Sequence, residues 1–316
     1  MTHSSAIMDC SSRNSGPVAT ELANQVSRAT RIRCNEPLAK RTTLRVGGPA
    51  DVYVEPASEK DLAAVLRFCG ARALPFFLLG RGSNLLVRDG GFRGVAICLG
   101  QPNFSRIEAT GCHLYCGAGA KLKTVAAEAK RHQLTGLEFL EGIPGSVGGA
   151  LRMNAGAMGS WMFDIVESIR FMDFDGHTHE CSGTEAKAEY RSCPLLKSHI
   201  ALSAVLKGHP AAREVIEQRM SAFNKKRWAS QPAAPSAGCV FKNPEAMPAG
   251  KLIEELGLKG ARVGGAMVSL EHANFIVTEG GAKAAQVWEL IERIKQRVST
   301  DRGIQLEMEL EVIGED

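Results

Sequence analysis

No apolar run in the 316-residue chain approaches the ~18 residues that a membrane-crossing helix needs. Its first stretch, MTHSSAIMDCSSRNSG, lacks a basic segment followed by an apolar core, so no secretory leader is expected. The nine cysteines, at positions 10, 34, 69, 98, 112, 116, 181, 193 and 239, form no CxxC. That excludes the common zinc-ribbon and dithiol-redox patterns, and we expect nine reduced thiols in a cytoplasmic protein. Charge of one sign is also missing. Thirty-eight basic and 34 acidic residues leave a net +4 spread along the chain, which predicts no nucleic-acid partner and suits an anionic small molecule. No GxGxxG turn opens a helix, no Walker lysine follows a glycine loop, and no repeat occurs at solenoid periods.

Residues 1–30 are polar and aperiodic, which predicts a flexible tail. LRVGGPADVYVEP then reads as strand, turn, strand. In SEKDLAAVLRFCGARA, Ser58 with Asp61 resembles a capping box, and Leu62, Val65, Leu66 and Cys69 recur at helical spacing. LPFFLLG has the run of a buried strand, and CHLYC reads as a strand rather than a metal site. KLKTVAAEAKRHQ is helical, and ESIRFMDFDGHTHECS is a hairpin turning at Asp-Gly. His177 and His179 flank that turn. They form an HxH pair for which the sequence supplies no third ligand, so no metal is expected. Composition shifts near residue 208. The segments PAAREVIEQRMSAFNKKRW and AAQVWELIERIKQRVSTDRG read as helices, the second with Val287, Ile291, Ile294 and Val298 on one face. Between them AGKLIEELG is a short helix closed by Gly257. The end alternates strictly. Ile304, Leu306, Met308, Leu310 and Val312 face one way, and Gln305, Glu307, Glu309 and Glu311 the other. Three segments are expected: the tail 1–30, a domain 31–208 and a domain 209–316.

Two segments are dense in glycine. GRGSN (Gly80, Arg81, Gly82, Ser83, Asn84) follows the apolar run, and its backbone N–H groups with Ser83 and Asn84 suit a pyrophosphate. GIPGSVGGALRMNAGA is longer. Two such loops in one domain suit an extended dinucleotide cofactor lying against the backbone.

With these loops stand TTLRVGGPADVYVEP, LLGRGSNLLVRDGGFRG, LEFLEGIPGSVGGALRMNAGA, EYRSCPL, GCVFKNP, AGKLIEELGLKG, GGAMVSLEHANFIV and LEMELEVIGE, in this order. The set resembles the UDP-N-acetylenolpyruvoylglucosamine reductase (MurB) family over roughly residues 30–316. The short spacing between MNAGA and EYR resembles its type II form. The resemblance implies an α+β fold. A flavin-binding domain of the vanillyl-alcohol-oxidase type, in two subdomains over 31–208, would precede an α+β substrate domain over 209–316. It implies FAD held non-covalently, since the first glycine loop lacks the histidine that related oxidases use for a flavin bond. GRGSN would hold the pyrophosphate. Ile143, Pro144, Gly145, Ser146, Gly149, Asn154, Ala155 and Gly156 would line the flavin. The family reaction passes hydride from NADPH to FAD and then to the enolpyruvyl double bond of UDP-N-acetylglucosamine-enolpyruvate. The product is UDP-N-acetylmuramate, a peptidoglycan precursor.

Hydride adding at the terminal carbon leaves an enolate. It needs donors at the carboxylate and an acid for the adjacent carbon. By the resemblance, Arg191 pairs with the carboxylate, Glu309 stabilises the enolate and Cys239 gives the proton. Most members carry serine where this chain has Cys239. A thiol, with a reference pKa of about 8.5, is mostly protonated near neutral pH and can replace it. Tyr190, Lys242 and Asn243 would contact the nucleotide-sugar substrate, while Asn243, Glu254 and His272 suit packing equally well. Two rivals stand beside this reading: an FAD-dependent sugar or lactone oxidase on the same fold, and a flavin-binding protein without catalysis. Oligomeric state is not legible.

Overall fold

The computed structural model describes residues 7–8 and 15–316. The chain divides into two compact units. One takes residues up to 35, 51–81 and 94–225; the other takes 36–50, 82–93 and 226–316.

The first unit holds two five-stranded sheets. One orders its strands Ile7–Met8, Arg31–Pro37, Pro49–Glu55, Phe92–Ile97 and Phe76–Leu78. The other is antiparallel, in the order Thr178–Ser182, Val166–Met172, Ile200–Lys207, His113–Gly117 and Ile107–Thr110. The hairpin expected at Asp-Gly therefore forms. The helix Glu59–Ala71 starts where expected, because the Ser58 hydroxyl accepts the Asp61 N–H at 3.1 Å. Its Leu62, Val65, Leu66 and Cys69 are buried. Phe76–Leu78 is only half-buried, because it is the edge strand of its sheet.

The second unit is built on a four-stranded sheet in the order Ser236–Cys239, Phe275–Thr278, Ala266–Val268, Arg262–Val263. The helix Ala284–Arg302 buries Val287, Ile291, Ile294 and Val298 in this unit's core. Burying a side chain of that size is worth roughly 1.5–3 kcal/mol. Gly303 ends the helix at φ 66°, the left-handed conformation that glycine adopts most easily. Its N-terminus is capped from far away in sequence. The Asp89 carboxylate accepts the Ala284 and Ala285 N–H groups, both at 2.9 Å. Leu44, Val46 and Leu86 join the same core, and Leu85–Val87 pairs in parallel with Glu311–Ile313.

Four expectations are corrected. Residues 15–23 form a helix, because Ala19 and Leu22 are fully buried in the first unit; the rest of the expected tail falls partly outside the described residues. The simple cut at 208 does not describe the units, since 36–50 and 82–93 pack with the C-terminal part. The alternating segment before Glu311 is mostly irregular, because only Phe241 and Met308 form a bridge there. Its apolar residues still face the core of the second unit. Lastly, Cys34 is disulfide-bonded, while Cys69, Cys98, Cys112, Cys116, Cys181, Cys193 and Cys239 are thiols. Sequence spacing does not show which cysteines the fold brings to bonding distance. Cys10 lies outside the described residues.

Candidate functional site: two glycine loops, an arginine turn and a cysteine strand

In the first unit the two glycine-rich segments meet. A Cβ on Gly80 would come within 2.9 Å of the Ser146 hydroxyl, so glycine at 80 permits the contact. Ser146 is buried, caps the helix Val147–Arg152 and accepts the Gly149 N–H at 3.5 Å. The segment is fixed by its own backbone. Leu122 N–H donates to Gly145 O at 3.1 Å, Val147 N–H to Ala120 O at 2.9 Å, and Gly148 N–H to Ala118 O at 2.7 Å. Gly80, Arg81, Pro144 and Gly149 are exposed beside this fixed backbone. The arrangement fits an FAD pyrophosphate, which needs close approach to backbone N–H groups. The chain passes into the second unit between Arg81 and Gly82. There a Cβ on Gly82 would come within 2.5 Å of Arg41 O.

The same unit carries the arginine turn. Among the described residues, Asn154, Met158, Lys187 and Arg191 are four of eight non-glycine residues at positive φ, at 38°, 56°, 47° and 55°. Each such residue costs of order 1–3 kcal/mol and persists only where its surroundings dictate it. Asn154 supplies that constraint. Its side-chain amide donates to Glu189 O at 3.0 Å and accepts the Phe163 N–H at 3.1 Å. Asn154 thereby ties the hairpin Gly156–Ala157/Ser160–Trp161 to the turn bearing Tyr190 and Arg191. Half-buried Arg191 lies over Trp161, 5.3 Å from its ring centroid, and 5.5 Å from that of exposed Tyr190.

In the second unit Cys239 ends the strand Ser236–Cys239, after Gly238 at φ 77°, and pairs with Phe275. The next residues run beside the C-terminal segment. Glu309 N–H donates to Val240 O at 2.8 Å, and Lys242 N–H to Glu307 O at 2.9 Å. Glu309 thus pairs with Val240, the residue that follows Cys239. Burial separates the three acids that periodicity left equivalent: Glu309 is half-buried, whereas Glu307 and Glu311 are exposed. Glu307 pairs with Lys242 at 3.0 Å. Asn84 holds the Glu309 backbone, its amide donating to Glu309 O at 2.9 Å while its own carbonyl accepts the Glu311 N–H at 3.1 Å. The Asn243 side-chain Oδ1 accepts the Ala249 N–H at 3.0 Å, at the start of helix Ala249–Glu255. His272 accepts the Asn274 N–H on Nδ1 at 3.2 Å. Burial, with nearby Lys259, pushes its pKa down. Sequence reading passed over two residues. Asn274 is buried and clamps Phe241, accepting its N–H at 3.0 Å and donating to its carbonyl at 2.8 Å. Trp161 is the other. An indole beside a glycine-rich segment was its only signal. In the 166–182 hairpin, His177 and His179 lie 3.3 and 3.0 Å from Asp173 Oδ2.

A family profile for an FAD binding domain matches residues 50–182. This defines a flavoprotein, and the mixed helix and strand content is the α+β architecture that the family resemblance implied. A second profile, for the C-terminal domain of UDP-N-acetylenolpyruvoylglucosamine reductase, matches residues 231–313. The chain is similar to UDP-N-acetylenolpyruvoylglucosamine reductase of Syntrophomonas wolfei, at 41% identity over 90% of this chain and 96% of that one. It is also similar to the enzyme of Carboxydothermus hydrogenoformans, at 44% identity over 89% and 93%. The crystal structure of the Thermus caldophilus enzyme superposes with a TM-score of 0.79, at 40% identity, covering 90% of this chain and 99% of that chain. The chain belongs to the UDP-N-acetylenolpyruvoylglucosamine reductase family.

Proposed function

We propose that the protein is an FAD- and NADPH-dependent reductase of UDP-N-acetylglucosamine-enolpyruvate, forming UDP-N-acetylmuramate for peptidoglycan synthesis in the cytoplasm. The pairing of Glu309 with Val240, next to Cys239, supports the reading at the chemical level, as does similarity along nine-tenths of the chain. Bound FAD supplies the two-electron chemistry that links NADPH oxidation to reduction of the enolpyruvyl double bond. The backbone around Gly80, Gly145, Ser146 and Gly149 and the GRGSN loop hold that cofactor. Gly82, Ser83, Ala155 and Gly156, with Ile143 and Pro144, complete the contacts this reading assigns.

The chain's own side chains handle what the reduction creates. Arg191 offers its guanidinium edge to the carboxylate, where charge accumulates as an enolate. Cys239 gives its thiol proton to the carbon beside that carboxylate. Glu309 stabilises the enolate either as a protonated acid or through a water or a cation, since a bare anion there would oppose it. Tyr190, Lys242 and Asn243 bind the nucleotide sugar. The test uses the purified yellow protein under anaerobic conditions. NADPH should bleach the flavin band, and UDP-N-acetylglucosamine-enolpyruvate should restore it stoichiometrically. Bleaching without recovery would leave a flavin site with another substrate. Rapid oxygen consumption independent of NADPH would instead support a sugar or lactone oxidase.

A further inference from the structure

The loop 269–275 of the second unit has no part in the reading above, yet it supports the strand that carries Cys239. Ser269 N–H donates to Phe275 O at 2.8 Å, and Phe275 N–H to His272 O at 2.9 Å, which closes the loop. The Ser269 hydroxyl accepts the Glu271 and His272 N–H groups at 3.1 and 3.3 Å. The Asn274 N–H turns to the imidazole and donates to His272 Nδ1 at 3.2 Å. Asn274 is 2% exposed, so loss of that acceptor would leave a buried donor unpaired. Asn274 in turn grips the next strand. Its carbonyl accepts the Val240 N–H at 2.8 Å, and its amide holds both backbone groups of Phe241. Phe275 pairs with Cys239 and lies against the imidazole, with ring centroids 4.8 Å apart. The imidazole also meets the helix Ala249–Glu255, where a Cβ on Gly250 would fall 3.0 Å from its Cε1. That helix begins at the Ala249 N–H, which Asn243 Oδ1 accepts. His272 thus touches the supports at both ends of the segment 239–243.

We propose that His272 is a positioning residue, which in its neutral form holds the segment 239–243 where Cys239 can serve the substrate carbon and Lys242 and Asn243 the nucleotide sugar. A backbone N–H can donate only to a ring nitrogen that carries no proton. Nδ1 is therefore the bare nitrogen and Nε2 the protonated one. A second proton on the ring would set one N–H against another beside a buried residue. Burial and the charge of Lys259 oppose that proton, while Glu254 favours it. These two charges also pair with each other at 2.7 Å. Glu271, the neighbour in sequence, is bound by the Ser269 hydroxyl at 2.6 Å. A proton donor works only within hydrogen-bond reach of the atom it serves, and a shift of about 1 Å costs on the order of 10²-fold in rate. The imidazole acts on that reach through Asn274.

This role rests on the assignment of Cys239 to proton delivery, and the experiment separates the two. On the FAD-loaded full chain, flavin reduction by NADPH and flavin reoxidation by UDP-N-acetylglucosamine-enolpyruvate would be timed separately between about pH 5 and pH 8. The variants are His272→Leu, His272→Asn and His272→Gln, with Cys239→Ala beside them. The amide oxygen of asparagine stands where Nδ1 stands and does not titrate, whereas that of glutamine reaches the place of Nε2. His272→Leu and His272→Gln should slow reoxidation roughly 10- to 100-fold, with flavin reduction unchanged. His272→Asn should keep most of the wild-type rate at neutral pH. Wild-type reoxidation should slow below about pH 6.5 as the ring takes up a proton, and His272→Asn should lose that acid limb. If the Leu and Gln variants fail to fold, the acid limb of wild type against His272→Asn decides alone. A Leu variant at the wild-type rate, a Gln variant as fast as Asn, or equal loss in flavin reduction overturns the role of His272 while that of Cys239 stands. So does an acid limb that is missing from the wild type or shared with His272→Asn. Wild-type product formation by Cys239→Ala removes the assignment of the thiol, and this role with it.

Discussion

Cys239 ends a strand just after a left-handed glycine, and the next residue, Val240, accepts the Glu309 N–H. This placement gives two predictions about single side chains. Cys239→Ala should bind FAD and accept hydride from NADPH at the wild-type rate, while product formation falls by 10²-fold or more, the scale of a lost general acid. Cys239→Ser should retain turnover, and iodoacetamide should inactivate the wild type but not the Ser variant. Product formation at wild-type level in the Ala variant would make the thiol a packing group. The three acids of the C-terminal segment give the second. Glu307→Gln breaks only an exposed pair with Lys242, worth 1 kcal/mol at most, and should leave kcat unchanged. Glu309→Gln should change the pH profile of kcat, whereas identical profiles for the two variants would remove Glu309 from the chemistry. Asn274 offers a stability test. Its amide satisfies both backbone groups of buried Phe241. Asn274→Ala should therefore cost about 2–4 kcal/mol, read as a lower urea midpoint with an unchanged slope.

At the scale of elements, the Ser58–Asp61 cap does more than start a helix. Burial pushes the Asp61 carboxyl up, but hydrogen bonds from the Ser27 N–H and hydroxyl and the Ser58 hydroxyl outweigh it, leaving its pKa below the usual value. The unfolded chain then binds the proton more readily. The stabilisation is fully present above about pH 4 and is lost as pH falls through the depressed folded value. Asp61→Asn should lower Tm at neutral pH and flatten its dependence on acid; parallel curves for variant and wild type would refute this. Elements like this were legible because their signals are local. The Ser58 cap, the Asp-Gly turn and the apolar stripe of Ala284–Arg302 each depend on residues a few positions apart. The edge position of Phe76–Leu78 and the irregular run before Glu311 depend on which strands lie alongside, and that information is not local. In the site, motif order pointed to Arg191, Cys239 and Glu309. It did not show that Glu309 differs from Glu307 in burial, that Asn154 spends its amide on two backbone groups, or that an indole covers the arginine. Those facts follow from hairpin register and turn conformation, which one sequence does not display.

At the scale of the whole molecule, the second unit is assembled from three separate stretches, 36–50, 82–93 and 226–316. Asp89 caps a helix nearly two hundred residues later, and Leu44, Val46 and Leu86 fill the core around that helix. A fragment carrying only 226–316 should therefore remain unfolded by circular dichroism, though one family profile falls wholly within it. A cooperative melt from that fragment would contradict the account. Asp89→Ala in the full chain should cost about 0.5–2 kcal/mol, the usual loss for a helix cap. The threading also sets a schedule for the ribosome. Strand Leu85–Val87 emerges more than two hundred residues before its parallel partner Glu311–Ile313. Until that partner has been made, the early strand has an open edge. A chain that stops before residue 311 should therefore yield aggregates rather than a shortened enzyme.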